Sequence, residues 1–296
     1  MDTLLRDVVS AARRLAAHRG FTLAALLTLA LGIGANIAMF SIVHGLLLRP
    51  LPYPDPGRIV RVGESRSVGG EMLTNRSMPL LQNAEAFEYL AAYRESSLEW
   101  TGPDGSVTLS GATVSPALFP LLRATPHLGR LFAEDAAREG ANRVALLSHR
   151  AWTDHFASDP GIVGAPVALD DEPYTVVGVL PEGFYFPHPD GDFWTPFVVP
   201  PFTPPPAADA GQPRMMLMMA FNALGRLAPG VSPEQAAAEA GARLSASGLR
   251  TLAIGGGEGE RSSGNEVRVV PLLEEMVGAY RPAVLALTPA PPLALL

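Results

Sequence analysis

The residues that could carry chemistry are few and poorly grouped. Histidine occurs at His18, His44, His127, His149, His155 and His188. His149 and His155 are near each other in sequence, but side chains meet on one helix face at a spacing of three or four, which this pair lacks. Asp170-Asp171-Glu172 offers carboxylates to a hard cation such as Ca²⁺, yet Pro173 follows directly and an exposed hairpin turn accounts for the run. Met215, Met216, Met218 and Met219 carry thioethers that suit Cu(I). Strand alternation would put Met216 and Met218 on one face and Met215 and Met219 on the other, so gap-filling in a core is the better reading; a soft apolar surface for hydrophobic ligands is a third. Glu182, Asp190 and Asp192, beside Tyr185, Phe186 and Trp194, come nearest to an acid–base set. No nucleophile or second base converges on them in the sequence.

Several chemistries are excluded outright. The chain has no Cys, which removes disulfides, thiolate catalysis and thiolate zinc sites. All 22 cationic residues are Arg, so no P-loop lysine exists and ATP, if used, is bound by a partner subunit. No G-x-S-x-G, H-E-x-x-H, dinucleotide loop or EF-hand pattern occurs. A net charge of −7 gives no basic patch for nucleic acid. The expectation is no catalytic, cofactor-binding or metal-ligating residue, and no enzyme.

The elements that would position any function begin with a membrane segment. No charged residue falls between Gly20 and Leu48; at 1.5 Å per residue such a helix reaches about 43 Å, against a hydrocarbon core of roughly 30 Å. A transmembrane helix is expected over 20–48. Residues 1–19 read as a cytoplasmic amphipathic helix, with Leu4, Leu5, Val8, Ala12 and Leu15 on one side. Arg6, Arg13, Arg14 and Arg19 outnumber Asp2 and Asp7, placing the N-terminus in the cytoplasm and the remaining mass outside. A cleaved signal peptide is the competing reading, with Gly32, Gly34 and Ala35 as its small residues, but the apolar run continues well past them. Ala30, Gly34 and Ala38 share a face and permit close helix packing, and Asn36 offers a hydrogen bond across it.

An α+β extracytoplasmic domain is expected over 50–280, with a subdomain break near 200–215 and a Pro-rich apolar tail over 281–296. The exit Arg49, Pro50, Leu51, Pro52 and Tyr53 cannot continue a helix. Strands are expected at 59–62, 107–112, 144–147, 167–169, 174–179, 217–227 and 267–271. Helices are expected at 79–93, with Leu80, Ala84, Phe87 and Leu90 or Ala91 as the apolar face, at 115–122 with Ser115 as N-cap, at 149–156 after Ser148, and at 233–249 after Ser232. Residues 170–173 read as a hairpin turn; the Pro-rich 200–213 and Gly-rich 255–264 read as loops.

These segments resemble a known family. Thr28 to Asn36, Phe40 to Val43 and Leu48 to Pro54 are similar to the first membrane helix and exit of MacB/FtsX-type ABC-transporter permeases, in particular the large duplicated permeases of acidobacteria. Val114 to Phe119, Leu128 to Phe132, Glu172 to Val179, Asp192 to Trp194 and Gly225 to Leu227 continue the likeness. The resemblance implies a periplasmic core domain between two membrane helices, a homodimer or an intrachain repeat partner, contact with the lipid bilayer of the bacterial inner membrane, and a separate cytoplasmic ATPase whose motion is passed to the outer domain. It implies no catalytic residue in the permease. The likeness weakens after Ala283, where a second membrane helix is expected and Pro289, Pro291 and Pro292 stand instead, as in an interrupted permease gene. The alternatives are a single-pass anchored binding or scaffold module, and, less favoured, an anchored enzyme.

Overall fold

Strand β1 (Ile59–Glu64) is buried on both faces, and the sheet around it explains why. The computed structural model describes residues 20–24, 26–34, 52–64, 72–102, 105–202, 219–247 and 266–278. They fall into two units, one of Leu51–Met276 and one of Met1–Pro50 with Val277–Leu296. In the latter, residues 20–24 and 26–34 are helical, with Phe21, Leu23, Leu26, Leu27, Leu29, Leu31 and Ile33 exposed. Among the described residues no helix is long and apolar enough to cross a membrane. The amphipathic 1–19 and the rest of the expected 20–48 span lie outside the described residues.

The Leu51–Met276 unit is built on one mixed sheet. Its other strands are β2 (Leu73–Thr74), β3 (Phe87–Gly102), β4 (Gly105–Val114), β5 (Leu128–Gly129), β6 (Val144–Leu147), β7 (Pro166–Leu169), β8 (Glu172–Val179), β9 (Phe193–Pro196), β10 (Ala220–Leu227) and β11 (Val267–Pro271). The order is β11-β1-β10-β3-β4-β9-β6-β8-β5, with β2 on β10 and β7 on β3 and β8. Among the described residues five α-helices accompany it: α1 (Met78–Leu81), α2 (Leu118–Leu122), α3 (His149–Phe156), α4 (Pro233–Ala246) and α5 (Leu272–Gly278). This is the expected α+β class.

Three apolar clusters form the core, and β3 touches all of them. Leu90 and Ala92 face the first cluster, with β1, β10, β11, α1 and α4. Ala91 faces the second, with α2 and Trp194. Trp100 faces the third, with Trp152 and the β7–β8 hairpin. This double burial corrects the helix expected at 79–93: α1 stops at Leu81 and the strand begins at Phe87. A strand buried on both faces puts apolar residues at consecutive positions, and that run contains the helical spacing by coincidence.

Other corrections are local. Ser115 does not cap α2, whose N-cap is Ala117; its hydroxyl accepts the Ala92 N–H at 3.0 Å, tying the chain after β4 to β3. The β7–β8 turn is the two-residue Asp170-Asp171, both with positive φ, as a right-twisted hairpin requires, while Glu172 and Pro173 already belong to β8. The caps at Ser148 and Ser232 match expectation, the latter as a full capping box with Gln235.

Candidate functional site

The chain that follows the expected membrane segment enters the domain through a built polar site. Pro52, Pro54 and Pro56 keep the chain out of a helix until the short 3-10 turn Pro56–Arg58. Pro52 is exposed, but Tyr53 turns inward and is only 7% exposed. Its ring meets Phe184 edge-on at 6.2 Å, and its hydroxyl donates to the Tyr185 carbonyl. Burial pushes this phenol well above the ordinary tyrosine value.

The next residue is held by a buried arginine. Arg226, on β10, is 0% exposed. Its Nη2 donates to the Pro54 carbonyl at 2.9 Å and its Nε to the Leu121 carbonyl at 2.5 Å. Nη1 is buried without a hydrogen-bond partner. Burial, then the charges of Arg123 and Arg58, pull its pKa below the ordinary arginine value. Planar, forked donors suit a bridge between two carbonyls from different segments, which a lysine ammonium could not span in the same way. Around it, Asp55 pairs with Arg123 at 3.3 Å and Arg58 at 4.0 Å. Arg58 Nε donates to the Leu227 carbonyl at 2.9 Å, and its Nη2 pairs with Glu88.

The chain leaves the domain beside the point where it enters. β1 and β11 are antiparallel neighbours, with Val60 opposite Pro271, so the start of β1 lies against the end of β11. Arg61 joins the two strands' surroundings: Nη1 donates to Glu275 on α5 at 2.8 Å and Nη2 to Asn222 on β10 at 3.0 Å. Leu272 packs on the same apolar cluster that takes Tyr53.

Of the expected site residues, the structure integrates Tyr53 and leaves Pro52 on the surface. Ala30 and Gly34 are exposed on the helical segment, and a Cβ at Gly34 would meet nothing within 4 Å. Arg6, Arg13, Arg14, Arg19, Asn36, Ala38, Arg49, Pro50 and Leu51 lie outside the described residues, as do Met215, Met216 and Met218. Met219 packs at the edge of the first cluster. In the sequence Arg226 stands only within the Gly225 to Leu227 likeness; an arginine between Gly and Leu carries no signal of burial.

The carboxylates near Trp194 stand in different surroundings. Asp192 is buried, accepting Ser110 N–H at 3.1 Å and Arg150 Nη2 at 2.7 Å; it staples β4 to the start of β9. Glu182 is exposed. Asp170 accepts the Glu99 N–H at 2.7 Å, a turn contact. His155 lies on Trp100 at 5.3 Å, whereas His149 lies against His127, also at 5.3 Å. Among the described residues no group of three or more His, Asp or Glu is placed to hold a metal.

Comparison with known proteins adds the family. The model of the MacB-like periplasmic core domain matches residues 22–243. The periplasmic region of MacB from Actinobacillus actinomycetemcomitans superposes with a TM-score of 0.51 at 13% identity, over 82% of this chain and 98% of that one. A permease-protein domain from Porphyromonas gingivalis gives 0.50 at 16%, over 74% and 92%. The extracellular domain of the noncanonic ABC-type transporter YknZ from Gram-positive bacteria gives 0.49 at 12%, over 72% and 99%. No curated protein matches. The MacB and Porphyromonas gingivalis structures support the shared fold, and the family model covers most of the sequence: the chain belongs to the MacB-like periplasmic core domain family, a component of ABC-type transporter permeases.

Proposed function

We propose that this chain is a permease subunit of an ABC transporter, anchored in the bacterial inner membrane by residues 20–48, with its core domain outside the cytoplasm. A separate cytoplasmic ATPase supplies the energy, and the junction around Tyr53, Pro54 and Arg226 passes its motion to the outer domain. A second copy, or an internal repeat, completes the membrane assembly. The observation that carries this reading is the pinning of the exit chain: Arg226 bonds the Pro54 carbonyl from the middle of the sheet, while β1 and β11 place the way in and the way out side by side. A pull on either connection therefore acts on adjacent strands rather than on a loose loop. The exposed Leu, Ile and Phe side chains at 21–33 also favour a lipid environment for the helical segment.

Topology is the first test. The chain has no Cys, so single cysteines report without background. In intact spheroplasts, a membrane-impermeant maleimide should label Asp154→Cys, and should label Ser10→Cys only after lysis. Labelling of Ser10→Cys from outside, or protection of Asp154→Cys, would overturn the proposal.

A further inference from the structure

A cleft of about 450 Å³ opens between the β3–β4 hairpin and the chain before β9, within the size range of small-ligand sites. Its floor includes Glu95, Ser96 and Ser97 of β3 and Ser110 of β4, with Ser97 directly opposite Ser110. Its wall carries His188 and Asp190.

Both sides are fixed. Asp192 grips the floor through the Ser110 N–H. On the wall, Trp194 Nε1 donates to the Phe186 carbonyl at 2.8 Å, and Arg150 donates to the Asp190 carbonyl at 2.6 Å. A site whose walls are already held loses little entropy on binding.

The carboxylates of the lining come from both sides of the cleft. Glu95 and Asp190 bring carboxylates, Ser97 and Ser110 hydroxyls and His188 an imidazole, and among the described residues no arginine lines the cleft. His188 Nε2 sits 3.1 Å from Glu95, and both side chains are more than half exposed, 64% and 57%, so the pair is reachable.

We propose that this cleft binds a ligand through an ammonium or guanidinium group, with Glu95 and Asp190 as countercharges and Ser97 and Ser110 accepting the remaining hydrogen bonds. The ligand is a small polyamine or a basic side chain of a peptide. The wall is also the stretch that Tyr53 holds through the Tyr185 carbonyl, which connects the cleft to the membrane exit. That connection rests on the proposed role of the junction; the binding does not.

The test is calorimetric titration of the full chain in detergent micelles with spermidine, with a short arginine-containing peptide and with CaCl₂. Saturable one-site binding of spermidine identifies a small amine as the ligand, and of the peptide alone a basic side chain. Either supports the proposal if Glu95→Gln combined with Asp190→Asn weakens it at least tenfold while Asp154→Asn, an exposed carboxylate elsewhere, leaves it unchanged. Ser97→Ala, which preserves every charge, should weaken it about threefold. Equal weakening by Asp154→Asn, binding of Ca²⁺ but of neither amine, or no saturable heat would overturn it. A wrong membrane topology in the maleimide experiment would leave these titrations unaffected, so the two proposals fail separately.

Discussion

Arg226 presents an unusual balance, because a buried guanidinium donates to two carbonyls and to no carboxylate. Removing it strands the buried Leu121 carbonyl and releases the part-buried Pro54 carbonyl. Arg226→Met keeps much of the volume, so its effect reports the hydrogen bonds rather than a cavity. We expect a loss of about 2 kcal/mol in urea unfolding, with faster hydrogen exchange at 52–58 and little change in α4. Tyr53 gives a second, pH-dependent signature. Its folded-state pKa is raised by burial, so the folded protein keeps a proton that the unfolded chain releases above about pH 10. Stability from this group is fully present below that pH and is lost as pH rises further. Tyr53→Phe should cost about 1 kcal/mol at neutral pH, and the gap to the wild type should close as pH is raised beyond about 10. Tyr93, raised chiefly by burial as well, is present in both proteins and cancels.

Helix α4 shows how an element is seated by one side chain. Glu239 accepts the N–H groups of Glu85 and Ala86 at 2.9 and 3.0 Å and pairs with Arg243 at 2.9 Å. Burial opposes its ionisation, but those bonds outweigh burial and hold the carboxyl below its ordinary value. The contribution is therefore present at neutral pH and is lost as pH falls through the folded-state value, below the ordinary value of about 4.3. Glu239→Ala should cost about 1 kcal/mol at pH 7, and thermal melts should show the difference vanishing in acid. This helix was legible in the sequence because its capping box is local. β3 was not, because its two buried faces are created by strands far along the chain, which no window of the sequence contains. Gly111 illustrates the same limit: a Cβ there would come within 2.2 Å of the Phe193 carbonyl, so Gly111→Ala should cost about 1–3 kcal/mol, although nothing near it in sequence announces the contact. The junction was half legible. Proline marks the exit that ends in Tyr53, but the partner arginine lies on β10, near the other end of the domain, and could be found only through the fold.

The larger question is whether the Leu51–Met276 unit can carry a load as one body. Its clusters share β3, with Leu90 in the first, Ala91 in the second and Trp100 in the third, so melting one cluster strips a face from a strand the others need. A single cooperative transition follows from that sharing. Val62 and Val269 are directly opposite on β1 and β11 and both belong to the first cluster, so their side chains share a face. Cα atoms at such antiparallel positions lie about 4.5–5.5 Å apart, within disulfide reach. Val62→Cys with Val269→Cys should oxidise readily, since the chain offers no competing thiol, and it would close almost the whole domain into one loop. The expected gain is about 3–5 kcal/mol, seen in calorimetry as one transition moved upward in the oxidised protein and restored by reductant. A transition that splits, with one part shifted and one part unmoved, would mean that the sheet yields between its halves. A pull applied where β1 begins and β11 ends would then be absorbed beside residues 52–56, and the cleft wall held by Tyr53 would have to answer to it alone.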